Sequence, residues 1–334
     1  MSLDAYAQAR SAAGKLKIEA RAKLAYGEPD ETFEACVVLH EAARIERRAV
    51  RLVDATAETK LAALAEACAC LLLGLDPPAA IEVWAELVQL RAATDRAADV
   101  LGDLEARVEK ARRRYNKTVE RLSVFARAPR NETERRRALA AVEATLTDYP
   151  GVGSLWWARY WLLANLPRRR KADAWRSIER AQKLAPDNPY IEASTVLAGV
   201  DLLPTVDAEA LVREARAVLQ PERPLLCLTT ALADLRLAEG ATKAAQTEAR
   251  RRALRAARIG LAGRAPSPWF ERLQATQDIL ELLLDDREPT LDVLYRAGLP
   301  SVALHAKPGE PVLELLTQSV LGSMASAGSM ASAA

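Results

Sequence analysis

The sequence predicts an all-α protein. A bundle of long helices fills residues 1–128, and an array of stacked helical hairpins fills residues 129–321. Three observations predict this. Half of the 334 residues are apolar, glycine is held to 14, and Ala, Leu, Arg and Glu dominate, a helix-forming composition. No run alternates apolar and polar residues with the period of two that a half-buried strand needs. Pro150, Pro186 and Pro221 stand 36 and 35 residues apart, each closing a helical segment.

The elements follow in order. Residues 4–26 are rich in Ala, Lys and Arg and read as a helix that Gly27 to Asp30 break. A second helix runs from Pro29 and Asp30 through Phe33, Val37, Leu39 and Ile45 towards Leu52. The third begins near Ala57 and closes at Gly74, and Asp76 then caps an element opened by Pro77 and Pro78. From Val83 to Phe125 apolar residues recur four and three apart, a heptad-like seam. One long helix over 79–126 and two helices divided near Asp95 or Gly102 both satisfy it. Within it, Glu105, Val108, Ala111, Arg112, Tyr115, Asn116 and Val119 form an E-x-x-V-x-x-A-R-x-x-Y-N-x-x-V pattern. The stretch 104–119 resembles the LemA family, which implies long antiparallel helices. That family usually begins with a membrane helix, and none is predicted here.

Pro129 ends this region and Asn131 suits the next cap. Tyr149 to Pro189 is then the clearest hairpin. Ala174, Ile178, Ala181 and Pro186 give A-x3-I-x2-A-x4-P, and Ala138, Val142, Thr145 and Pro150 repeat the offsets. The pattern and the spacing are similar to the tetratricopeptide (TPR) family, whose unit has about 34 residues. The resemblance implies a superhelix with an extended concave surface that binds a protein or peptide. Further helices are expected over Ala208–Leu219, Leu225–Ala238, Thr242–Leu261, Trp269–Leu284, Thr290–Ala297 and Val312–Leu321. The tail, residues 322–334, repeats GSMASA and is expected to be disordered.

Charge and cysteine usage narrow the function classes. The 47 basic and 45 acidic residues leave a net charge of +2, which argues against bulk electrostatic binding to nucleic acid or to an anionic membrane. The N-terminus lacks a signal-peptide core, and the apolar run Cys68–Leu75 is too short to span a bilayer, so a cytoplasmic protein is expected. Cys68 and Cys70, two apart, point about 200° from each other on a helix and cannot share a metal ion. Cys36, Cys68, Cys70 and Cys227 read as buried thiols, and no metal or cofactor is called for.

The only histidines are His40 and His305. Cys36 and His40 share a helix face, a candidate catalytic pair only if a pocket joins them to nearby acids. No phosphate-binding loop, dinucleotide fingerprint or zincin motif occurs. Trp156, Trp157, Tyr160 and Trp161 fall on one broad face of a helix, either as packing or with Trp156 at the edge of a ligand groove. The arginine runs at 112–114, 135–137, 168–171 and 250–252 spread around their helices, with Glu residues at hand. The expected role is a non-enzymatic interaction scaffold or adaptor. Its partner-binding candidates are Trp156, Arg159, Asn165, Arg168, Arg169 and Arg170. A nucleic-acid-associated subunit using the arginine runs is the alternative.

Overall fold

The computed structural model describes residues 3–52, 56–91, 98–123, 131–166, 170–263, 267–304, 306 and 310–331. Among these every regular element is a helix, so the protein is all-α. The chain divides into two compact units between Leu162 and Leu163, some thirty residues beyond the boundary at 128 that Pro129 predicts.

The first unit begins with α1 (Leu3–Tyr26) and α2 (Pro29–Leu52), which form a long hairpin. Gly27 makes its turn with a left-handed φ of 74°, a conformation that side chains disfavour. Alanines make the contact close. Ala13 and Ala20 on α1, and Ala35, Ala42 and Ala49 on α2, recur every seven residues and are all buried. A seven-residue seam keeps facing its partner along two helices that wind slowly around each other.

The helix α3 (Ala57–Leu73) packs on α2, with Thr56 accepting a hydrogen bond from the Thr59 amide at its start. It is followed by α4 (Pro77–Arg91) and α5 (Ala98–Ser123). These answer the choice left by the heptad seam. Arg91 and Glu105 lie 3.5 Å apart. In one continuous helix fourteen residues would separate them by about 21 Å. The chain therefore turns back, and α5 lies against both α3 and α4, with Leu101, Leu104 and Val108 in the shared core. The helix α6 (Glu132–Asp148) starts where Asn131 predicts, since the Glu134 amide donates to the Asn131 side chain at 2.9 Å.

In the second unit the hairpin plan is regular. Its helices are α8 (Lys171–Leu184), α9 (Pro189–Leu202), α10 (Thr205–Ala217), α11 (Pro224–Leu237), α12 (Lys243–Leu261) and α13 (Phe270–Leu284), after α7 (Gly153–Ala164), which spans the division. Each packs on the next, and α11 also lies between α9 and α13. Within this unit α11 thus touches α9, α10, α12 and α13. One feature departs from an open array. Ten consecutive residues of α11, Leu225–Asp234, are buried, so that helix presents no free inner face along this stretch.

The short helices α14 (Asp292–Arg296) and α15 (Pro300–Leu304) then lead to α16 (Val312–Ala331). The last is longer than the ten residues expected, and it carries the GSMASA stretch in helical form where disorder was expected.

Candidate functional site

The six residues singled out by sequence fall into three environments. Trp156 is 8% exposed. Its indole N–H donates to the Pro150 carbonyl at 2.8 Å, and its ring meets Phe33 edge-on with centroids 5.8 Å apart. Arg159 donates from Nε and Nη2 to Glu143 Oε1 at 3.0 and 2.9 Å, tying α7 to α6, with its guanidinium 6.0 Å from the Trp156 ring. Both residues are committed to contacts within the first unit. Trp157 and Tyr160 are buried with them, so this aromatic face is packing. Asn165 and Arg170 are exposed, and Arg170 pairs with Asp173 at 3.3 Å. Arg168 and Arg169 lie outside the described residues.

The arginine runs are largely neutralised by local carboxylates. Glu109 takes Arg112 and Arg113, both at 2.8 Å, and their hydrogen bonds hold its carboxyl below the usual range. Arg136 pairs with Glu132 at 2.6 Å. Arg252 reaches inward to Asp234, a buried carboxylate of α11 that Arg216 approaches from α10 at 3.7 Å. Burial pushes Asp234 up, and these two guanidiniums oppose the shift. Such pairs make solvated or structural faces and leave little net positive field.

Sequence spacing misses the most concentrated polar chemistry, which lies inside the first unit. His40 on α2 meets Asp76, the cap of α4, with Nε2 3.3 Å from Oδ2. Asp76 Oδ1 accepts from the Ala79 amide at 3.1 Å. The imidazole also donates to the backbone carbonyl of Gly151 in the turn between α6 and α7. Gly151 rests directly on the turn after α3, where a Cβ would lie 1.8 Å from the Gly74 carbonyl oxygen. The next residues are gripped too, since Tyr149 meets Tyr115 of α5 edge-on at 5.3 Å.

Burial sets the protonation of this cluster. It lowers His40 to about 4, with the charge of Arg44 adding to the effect. It raises Asp76 to about 7, against the hydrogen bond from Ala79. Burial and the Asp76 charge push the Cys36 thiol up to about 12, and burial raises the Tyr115 phenol as well. Between about pH 4 and about pH 7 the pair is a neutral carboxylic acid facing a neutral imidazole. Cys36 is a buried thiol, not a thiolate nucleophile. His40 and Asp76 are both buried, and the arrangement fastens α2, the turn after α3 and the turn after α6 together.

A different surface forms in the second unit where α9 and α13 both receive α16. Trp269, at the start of α13, meets Tyr190 of α9 with centroids 6.2 Å apart. Arg272 lies 5.4 Å from the Trp269 ring and donates from Nη2 to Ser323 Oγ of α16 at 2.9 Å. Among the described residues no carboxylate lies within ion-pair distance of Arg272, and its Nε is buried with no hydrogen-bond partner. Desolvation lowers its pKa. The histidine–aspartate pair had one sequence signal, the cap at Asp76. The corner on Arg272 had none, because its parts are scattered over more than a hundred residues.

No group of three or more metal-binding side chains occurs among the described residues, and no described helix is long and apolar enough to cross a membrane. Comparison with protein families, with curated proteins and with solved structures returns no match for this chain.

Proposed function

We propose that this protein is an interaction scaffold of the tetratricopeptide-like kind, an adaptor that holds a protein or peptide partner on stacked helical hairpins. The observation that carries this reading is the stacking of α9, α11 and α13 as successive first helices, with α10 and α12 between them in sequence. Such an array has no core of its own within one hairpin, so its surface is set by repetition and is free to diverge for recognition. The charge pairing supports a protein partner over nucleic acid. Arg112, Arg113, Arg136 and Arg252 each have a carboxylate, so these four carry less uncompensated charge with which to displace counterions. The buried thiol and the sealed histidine–aspartate pair support a structural role for the chemistry of the first unit.

The test is affinity purification of the tagged full chain at low and at high salt, with quantitative mass spectrometry and nuclease treatment in parallel. A stoichiometric protein that survives both treatments is expected. Retention of RNA or DNA alone, released steeply as salt rises, would sink the reading in favour of the nucleic-acid alternative. A charge reversal of residues 168–171 separates the two further, since it should abolish nucleic-acid retention and spare the protein partner.

A further inference from the structure

Resting on the scaffold reading, we propose that the distal half of α16, residues 318–331, is an own-chain plug. It occupies a helix-accepting corner between α9 and α13. The partner that fits the corner is a charge-free helix with an aliphatic or methionine side chain every fourth residue, small residues between, and a hydroxyl for Arg272.

The two halves of α16 differ. Val312, Leu315 and Leu316 join Ala275 and Ile279 of α13 and Val293 and Leu294 of α14 in one core. That half closes the end of the unit. The distal half leaves this core. Ser323 lies on Arg272 at the start of α13, where Trp269 touches Tyr190 of α9, and α16 as a whole contacts both α9 and α13. Its anchors are Val320 and Met324, four apart on one face and both fully buried.

Composition argues that this half is helical because it is docked. From Gln318 to Ala331 it carries no charged residue. Gly322 and Gly328 each cost about 1 kcal/mol against alanine, and a segment this short is marginal as a helix on its own. A terminal cap of a repeat array ordinarily turns a polar, charged face to solvent. This one offers Ser, Ala and Gly, the residues that let helices approach closely in a groove. Arg272 adds specificity. It has one hydroxyl and one carbonyl, Pro268 at 3.3 Å, in place of a carboxylate. A competing helix therefore needs a hydrogen-bond acceptor at that position.

The experiment uses the full chain and a labelled peptide of residues 310–331. Replacing both anchors (Val320→Asp with Met324→Asp) forces two carboxylates against a buried surface and should eject the distal half, leaving α9 and α13 unaltered. The peptide is expected to bind this variant at least about tenfold more tightly than wild type, because wild type must first release its plug. Adding Arg272→Ala should remove most of that gain. Hydrogen exchange on wild type provides the second measurement. Amides of 318–331 should exchange about 100-fold faster than those of α11, as expected for a segment that opens alone.

Three results overturn the inference. One is a variant with native helix content that binds the peptide no better than wild type. Another is exchange of 318–331 at the rate of α11, which would make α16 an integral wall of the unit. The third is a wild-type dimer abolished by Val320→Asp, which would identify the occupant as the α16 of a second copy. None of these touches the scaffold reading, which fails separately if no stoichiometric protein partner is retained.

Discussion

Replacing Asp76 by Asn tests the buried pair of the first unit quantitatively. The substitution keeps the shape of the side chain. Its amide oxygen still accepts from Ala79, as Asp76 does at 3.1 Å, and asparagine is as good a helix cap as aspartate. Its amide N–H takes the place of the Oδ2 that lies 3.3 Å from His40 Nε2. What disappears is the ionisation. In the folded protein burial raises Asp76 to about 7, against an ordinary value of 3.8. An acid whose pKa is raised on folding holds its proton more tightly in the native state, so stability falls as pH rises from the unfolded value through the folded one and levels off above it. The full loss is about 4 kcal/mol, and about 2 kcal/mol of it falls between about pH 5.5 and about pH 8.

His40 works in the opposite sense over part of that range. Burial lowers it from 6.5 to about 4, so its neutral form is favoured in the fold and stability falls as pH drops below 6.5. Wild type alone therefore shows a shallow net change, and the difference between wild type and D76N isolates Asp76. Urea unfolding of both proteins, followed by helix circular dichroism, measures that difference at the two pH values. Protection of the buried Cys36 thiol assigns the transition to this unit. D76N should gain about 2 kcal/mol relative to wild type on going from about pH 5.5 to about pH 8. A difference that stays constant across the range refutes the placement of a neutral carboxylic acid beside His40.

Other substitutions have equally definite outcomes. Gly151→Ala drives a Cβ to 1.8 Å from the Gly74 carbonyl oxygen, backbone against backbone, and should lower the melting temperature by many degrees, a loss of about 3 kcal/mol or more. Gly14→Ala, with nothing within 4 Å on α1, should instead stabilise by about 1 kcal/mol in the same melt. Arg252→Ala leaves the buried Asp234 with Arg216 and the more distant Arg255; it should cost about 2 kcal/mol near neutrality, and lowering the pH should restore part of the loss as Asp234 takes up a proton. Trp156→Phe removes the donor to the Pro150 carbonyl, so urea unfolding should show a loss of about 1–3 kcal/mol with partner retention on the column unchanged.

How much of this was legible in the sequence depends on whether the information is local. Helix ends were legible, because their signals sit within a turn of the event. Asp76, Asn131 and Thr242 accept hydrogen bonds from the amides that follow them, and Gly240 takes the left-handed turn before α12. The heptad seam could not distinguish one helix from two, because the same apolar stripe serves a continuous helix and one folded back. Only the Arg91–Glu105 contact separates them. The low-complexity end misled for a physical reason. Composition measures whether a segment can form its own core, whereas this end is held by the buried Met324 and by Ser323 on Arg272. His40 and Asp76 are 36 residues apart on different elements, and no period or motif connects them.

The same distinction separates side chains already engaged within the fold from those with unmet hydrogen-bonding capacity. A tryptophan stripe on a first helix looks like a groove anchor when read alone. Here Trp156 already has a ring partner in Phe33, an acceptor in Pro150 and a neighbouring cation in Arg159, and removing it from these contacts to meet a ligand would forfeit all three. The inner helix α11 is closed along Leu225–Asp234, so binding there would have to open the core of the second unit. Arg272 is different. Its guanidinium is desolvated against Trp269, with Glu271 acting on it through space but no carboxylate within ion-pair distance among the described residues, a costly arrangement that an acceptor offsets. Ser323 is that acceptor in the free chain. The incompletely satisfied groups of a fold are where an exchange of partners costs least, and under the plug proposal Arg272 is that group at the junction of α9, α13 and α16.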